Sequence, residues 1–168
     1  MTRMQDDDLI RFRARVLWDH CAGADWCGWD PYDGLMAEIW PARALRRWRV
    51  SRILLTQFMR RSAFNFRPIL RTPRLRNPKA LALGIEAASA IGVGYHPNVT
   101  RQAEGIGLVA VLCHLATATS SGGGWGYPFD WQARAFWIPR HTPTSVCTGF
   151  VVRALDRARR ELPLDPEV

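Results

Sequence analysis

Two short segments hold most of the residues equipped for chemistry. One reads Asp25-Trp26-Cys27-Gly28-Trp29-Asp30-Pro31-Tyr32-Asp33-Gly34. The other reads Gly122-Gly123-Gly124-Trp125-Gly126-Tyr127-Pro128-Phe129-Asp130-Trp131-Gln132-Ala133-Arg134. Both set flat aromatic side chains beside polar groups, which is how proteins hold sugars: a ring stacks on the C–H face while Asp, Gln and Arg bond the hydroxyls. In the second segment Trp125, Tyr127, Phe129 and Trp131 are the planes, and Asp130, Gln132 and Arg134 are the polar partners. In the first, Trp26, Trp29 and Tyr32 stand among Asp25, Asp30 and Asp33.

Carboxylates gathered in one cleft divide general acid and base roles, as in glycoside hydrolysis. Asp130 is the leading candidate, because it lies between two aromatics where a turn has little use for it. Asp30 or Asp33 is its partner, although Pro31 and the Asp33-Gly34 pair are turn chemistry and give both aspartates a structural reading. Arg134, Arg140 and His141 are placed to neutralise a carboxylate or phosphate on a ligand. His141, within Pro-Arg-His-Thr-Pro, reads equally as an exposed loop residue. The glycines of the second segment permit positive φ and close backbone approach. A tightly packed structural loop is the competing account of its Gly-Trp-Gly portion.

Four cysteines are scattered without a CxxC pair, so reduced, buried thiols are the plain expectation. The sharper alternative is zinc held by Cys27 with the adjacent Cys113-His114, three ligands being usual for an open catalytic site. His114 lies in an apolar helical run, which favours a core histidine. No cofactor and no metal is assigned.

The elements that must position these segments read as helices. The patterns cover residues 6 to 20, about 41 to 61, 79 to 91, 99 to 118, and 143 onward, with Asp6, Asp7 and Asp8 at the positive end of the first. Pro41 opens the second, Asn77-Pro78 the third, Asn98 caps the fourth and Pro143 starts the fifth. Gly105, Gly107 and Ala110 are small enough for close helix contact. Apolar alternation never persists, so the class is all-α and residues 1 to 168 form a single domain. Loops at equivalent ends of a ring of helical hairpins face one mouth, which would bring the two aromatic segments together.

The stretches Asp30-Pro-Tyr-Asp-Gly-Leu35, Arg61-Ser-Ala-Phe-Asn-Phe-Arg-Pro68, Asn77-Pro-Lys-Ala-Leu-Ala82 and Gly124-Trp-Gly-Tyr-Pro-Phe-Asp-Trp-Gln-Ala-Arg-Ala-Phe136 carry a family resemblance. Pro139 and Thr142-Pro-Thr144 follow in the same order. In these stretches the chain resembles bacterial proteins of exopolysaccharide and cell-surface polysaccharide gene clusters. That resemblance implies an (α/α) toroid akin to six-hairpin glycosidases and terpenoid-cyclase-like rings. Its members are roughly twice as long, so five helices imply an N-terminal portion of the ring, with apolar faces left for self-association. Residues the family places in its second half are then missing.

The resemblance implies polysaccharide assembly or modification more firmly than a reaction. Hydrolase, lyase and epimerase chemistry all suit the cleft, and whether the chain turns over a substrate stays open. A non-catalytic remnant or interaction module is the alternative.

Net charge is +8 with a single lysine among 23 basic residues. Between Glu38 and Glu86 there is no acid, while eleven arginines from Arg43 to Arg76 and Lys79 fall there. Such a block attracts an anionic partner: nucleic acid, an anionic membrane surface or an acidic glycan. A solvated helix face with a basic loop is the plainer reading, and no known nucleic-acid-binding pattern accompanies the block. No apolar run approaches the ~20 residues of a membrane span, and no secretory leader is recognisable, so cytoplasmic residence is expected.

Overall fold

A computed structural model describes residues 2–94, 99–120 and 122–163. The elements in order are α1 (Thr2–Gly23), β1 (Cys27–Gly28), a 3-10 turn (Asp33–Met36), α2 (Trp40–Leu45), α3 (Arg49–Arg61), β2 (Leu75–Arg76) and α4 (Pro78–Gly94). Then follow α5 (Val99–His114), β3 (Thr117–Thr119), β4 (Gly122–Gly124), β5 (Trp131–Gln132), β6 (Trp137–Ile138) and α6 (Ser145–Glu161).

The main core is built by α4, α5 and α6. Cys147, Val151, Ala154, Ala158 and Leu162 recur at helical spacing along α6 and are all buried. They meet Leu81, Ala82, Ile85 and Ala88 of α4 and Leu108, Val109 and Leu112 of α5. Burying each Leu, Ile or Val side chain contributes ~1.5–3 kcal/mol. Thr144 starts α6 by accepting the Cys147 N–H at 3.2 Å, a side-chain cap. Gly105 is the close-contact point of α5: a Cβ there would stand 2.9 Å from the Ala88 Cβ. Trp18 is the buried residue that ties α1 to this core, edge-on to Trp26 at 5.1 Å.

A second, smaller core joins Leu35 and Ala37 to Ala42 of α2 and to Leu55 and Met59 of α3. Each of three short antiparallel sheets takes a strand from one of the aromatic segments. β1 pairs with β2 (Cys27 with Arg76, Gly28 with Leu75), β3 with β4, and β5 with β6 (Trp131 with Ile138, Gln132 with Trp137).

The sheets correct the all-α expectation: this is a helix-rich mixed α/β fold, not a partial ring of helical hairpins. Strands of two or three residues are too short for alternation to show in sequence. One of them is the glycine run itself, where Gly122 has φ +121°.

The helical pattern over 41 to 61 is also two helices. Their junction is held by side chains: Ser51 Oγ donates to the Leu45 and Trp48 carbonyls, at 2.5 and 3.0 Å, and Arg52 Nη1 donates to the Arg46 carbonyl at 2.9 Å. Carbonyls that would continue one helix are satisfied there instead. α5 stops at His114 rather than 118, because residues 117–119 pair with the glycine strand. The α1 backbone is helical from Thr2, which moves Asp6, Asp7 and Asp8 beyond its first turn. The expected cap Asn98 lies outside the described residues.

Candidate functional site

The cleft begins where α1 ends. Asp25 and Trp26 both have left-handed backbone, φ 52° and 56°, and the Trp26 N–H donates to the Cys21 carbonyl at 2.8 Å. A bulky residue in this region costs about 1–3 kcal/mol and persists only where its surroundings hold it. Here the indole of Trp26 fills the space above Gly84 of α4, where no Cβ would fit. The β1–β2 pair and the Arg76–Asp25 ion pair then tie this loop to the connector before α4.

Asp30 and Asp33 come next, three residues apart, in different roles. The Asp33 side chain is 3% exposed and is gripped by Arg67, whose Nε lies 2.9 Å from one carboxylate oxygen and 3.1 Å from the other. Asp33 also accepts the Asp30 N–H at 3.1 Å. Its carboxylate is engaged on every side by its own chain, which makes Asp33 a positioning residue. The Asp30 carboxylate accepts the Tyr32 N–H at 3.0 Å and the Asn77 Nδ2 at 3.2 Å. Asn77 serves two purposes: its Oδ1 accepts the Lys79 N–H at 3.1 Å in the first turn of α4. Burial pushes both carboxyls above the ordinary aspartate value. For Asp30 this outweighs its hydrogen bonds with Tyr32 and Asn77 and the charges of Arg67 and Lys79; for Asp33 it outweighs Arg67.

Asp30 lines three neighbouring cavities. The largest, about 400 Å³, is walled by Trp26, Trp29 and Phe129 and also reaches Asp33, His20 and Arg74. The next, about 260 Å³, lies between the two aromatic segments, with Tyr32 on one side, Tyr127, Phe129 and Trp131 on the other, and Asn77 and Lys79 at its edge. The third, about 210 Å³, adds Arg60 and Arg67. The two segments therefore share one cleft: Tyr32 and Trp131 meet edge-on at 6.1 Å, and Tyr127 lies edge-on to Trp131 at 6.0 Å and stacked on Phe129 at 5.4 Å. Guanidinium groups cover a face of two rings, Arg60 over Tyr32 at 5.0 Å and Arg74 over Trp29 at 5.3 Å. Trp29 Nε1 donates to the Thr72 carbonyl at 2.9 Å, so its polar edge is taken as well.

The remaining candidates of the second segment hold the loop rather than line the cleft. Trp125 is buried, and its Nε1 donates to the Leu112 carbonyl at 2.7 Å. Gly126 lies so close to the returning chain that a Cβ would stand 2.2 Å from the Thr142 carbonyl oxygen. Asp130 accepts the Arg140 N–H at 2.9 Å and lines none of the three cavities; its charge only partly opposes the burial that lowers the Arg46 pKa. Gln132 is buried and spends both ends on the chain: its oxygen accepts Arg52 Nε at 2.8 Å, and its nitrogen donates to the Ala133 and Phe136 carbonyls. The Arg134 side chain is exposed, and its carbonyl accepts Arg49 Nη2. Arg140 and His141 are exposed, with His141 at φ 62° and its N–H donating to the Tyr127 carbonyl at 2.7 Å.

Cleft residues that the sequence reading missed are Asn77, Lys79, Arg60, Arg67 and Arg74. Asn77 carried a signal, since an Asn before Pro at a helix start is a cap, but not its second partner. Arg67 was one of twelve cations in the acid-free block, with nothing to single it out. Cys27 lines the largest cavity, whereas Cys113 and His114 are exposed at the far end of α5. Among the described residues no three His, Cys, Asp or Glu gather to hold a metal. Of the four thiols, Cys147 alone is buried, which corrects the expectation for the other three; His114, expected in the core, is exposed.

No protein-family model, curated protein or solved structure matches the chain.

Proposed function

We propose that this chain binds an oligosaccharide in the Asp30 cleft. The observation that carries the reading is the position of Asp30, a half-buried carboxylate at the junction of three cavities walled by tryptophan, tyrosine and phenylalanine. The largest of the three cavities, about 400 Å³, falls at the scale of small-ligand sites, roughly 300–1,000 Å³, with aromatic walls and few polar groups. Phe129, Tyr127 and Trp131 supply planes for sugar C–H faces. Asp30 accepts from hydroxyls, and Asn77 and Lys79 supply neighbouring polar groups at its edge. The cations at the rim (Lys79, Arg60 and Arg74) favour a glycan carrying carboxylates.

The reading is binding rather than hydrolysis, because the carboxylate nearest in sequence, Asp33, is held by Arg67 and Asp130 is held by the Arg140 backbone. As part of the same proposal, the resemblance to polysaccharide-cluster proteins supports a role for this binding in polysaccharide assembly or modification. Titration calorimetry with uronate-containing and neutral oligosaccharides tests it. Saturable binding of the uronate ligand, weakened at least about tenfold by Trp131→Ala, supports the reading. Equal, unsaturable heats for both ligands and both proteins overturn it.

A further inference from the structure

The face of α3 turned away from the cleft bears on a different kind of partner. Val50, Leu54 and Phe58 recur every four residues and are 68%, 63% and 50% exposed. The stripe continues through ring contacts, Phe58 to Phe66 at 5.1 Å and Phe66 to Phe64 at 4.9 Å, and Phe64 is itself 61% exposed. Trp48 stands exposed at the start of the helix. The opposite side of α3 is committed to the small core through Leu55, Thr56 and Met59. A contiguous apolar stripe on a surface helix marks an interaction site.

The surrounding charge selects the occupant. The stripe lies within the acid-free block from 39 to 85. Arg61, three residues past Phe58, shares its helix face, and Arg47 flanks Trp48; both are exposed and have no carboxylate partner among the described residues. A second copy docking through the same face would lay one arginine-edged patch on another, since a twofold interface uses the same patch on both subunits, and residues 39 to 85 offer no acid there to pair with the guanidinium groups. A nucleic acid would match the charge but leave Val50, Leu54 and Phe58 without a complement. An aliphatic and aromatic stripe edged by arginine matches an anionic bilayer surface, where the stripe enters the acyl boundary and the cations meet headgroups.

We infer that the chain docks peripherally on an anionic membrane through the Val50–Leu54–Phe58 face of α3. No helix among the described residues is long and apolar enough to cross a membrane, so the contact lies in the interface plane. The inference does not depend on the glycan reading.

Co-sedimentation with vesicles tests it, using phosphatidylcholine alone and phosphatidylcholine mixed with phosphatidylglycerol. The expected result is binding to the mixed vesicles at least about tenfold tighter than to phosphatidylcholine, weakening as salt is raised. A Leu54→Glu/Phe58→Glu variant and, separately, Arg61→Glu should each lose at least about tenfold. The substituted side chains are exposed, so thermal melts should match wild type; should the double variant melt early, Val50→Glu alone replaces it. Equal binding to both vesicle types, or wild-type binding by the apolar-face variants, overturns the inference. So does a dimer that the double variant converts to monomer without any vesicle binding, and so does tRNA binding by a protein that ignores both vesicles.

Discussion

Arg67 holds Asp33 through its Nε, 2.9 and 3.1 Å from the two carboxylate oxygens, while its Nη2 donates to the Asp30 carbonyl at 2.9 Å. One guanidinium thus fixes both the buried aspartate and the backbone of the aspartate at the cleft. Arg67→Ala leaves Asp33, 3% exposed, as an uncompensated buried charge, and such a loss costs about 3–5 kcal/mol. Urea denaturation should show that loss, and Arg67→Ala/Asp33→Asn should recover part of it. Additive losses in the pair would contradict the coupling.

Burial raises the folded-state pKa of Asp30 and of Asp33 above the ordinary aspartate value. For a raised carboxyl the folded state binds more protons than the unfolded state. Its contribution to stability is therefore greatest below the ordinary value and is lost as pH rises toward the folded value. Asp30→Asn removes that dependence. Across the weakly acidic range, the difference in unfolding free energy between wild type and Asp30→Asn should shift in favour of the variant as pH increases. A flat difference would contradict the assignment.

Trp125 and Gly126 are predicted to matter for the loop and not for the ligand. Trp125→Phe removes the indole donor from the Leu112 carbonyl, which keeps the Leu115 N–H, and should cost about 0.5–1.5 kcal/mol. Gly126→Ala drives a Cβ to 2.2 Å from a backbone oxygen, so its cost should reach or exceed the ~1–3 kcal/mol of overpacking. At Gly123 an added Cβ meets nothing within 4 Å, and Gly123→Ala should stay within ~0.5 kcal/mol of wild type. Chemical denaturation of the three variants checks the order.

The thiols report on the core directly. Cys113 is exposed, whereas Cys147 is fully buried with its pKa pushed up to about 11, chiefly by burial. Iodoacetamide at neutral pH should label Cys113 quickly and Cys147 only on unfolding. Mass spectrometry of timed digests reads this, and early labelling of Cys147 would show that α6 does not pack as described.

The helices were largely legible because their apolar stripes are long enough to repeat. Cys147, Val151, Ala154, Ala158 and Leu162 span four turns of one face. The sheets were not legible, since Trp131-Gln132 and Trp137-Ile138 each offer only two residues and nothing local distinguishes them from a turn. That the two aromatic segments converge was expected from a ring of hairpins; here they meet through Tyr32 and Trp131, while the β1–β2 pair and Asn77 reaching Asp30 tie the first segment to the connector before α4. Residue type alone could not separate Asp30 from Asp130. Both sit among aromatics, and what divides them is a long-range fact: Asp130 meets the backbone of Arg140, whereas Asp30 meets Asn77 at the edge of a cavity.

That division gives the most direct test. The affinity of a uronate-containing oligosaccharide should be measured by titration calorimetry for wild type, Asp30→Asn and Asp130→Asn. The account predicts at least about tenfold weaker binding for Asp30→Asn, and wild-type affinity with a lowered melting temperature for Asp130→Asn. Loss of affinity in Asp130→Asn, with Asp30→Asn unchanged, would contradict it.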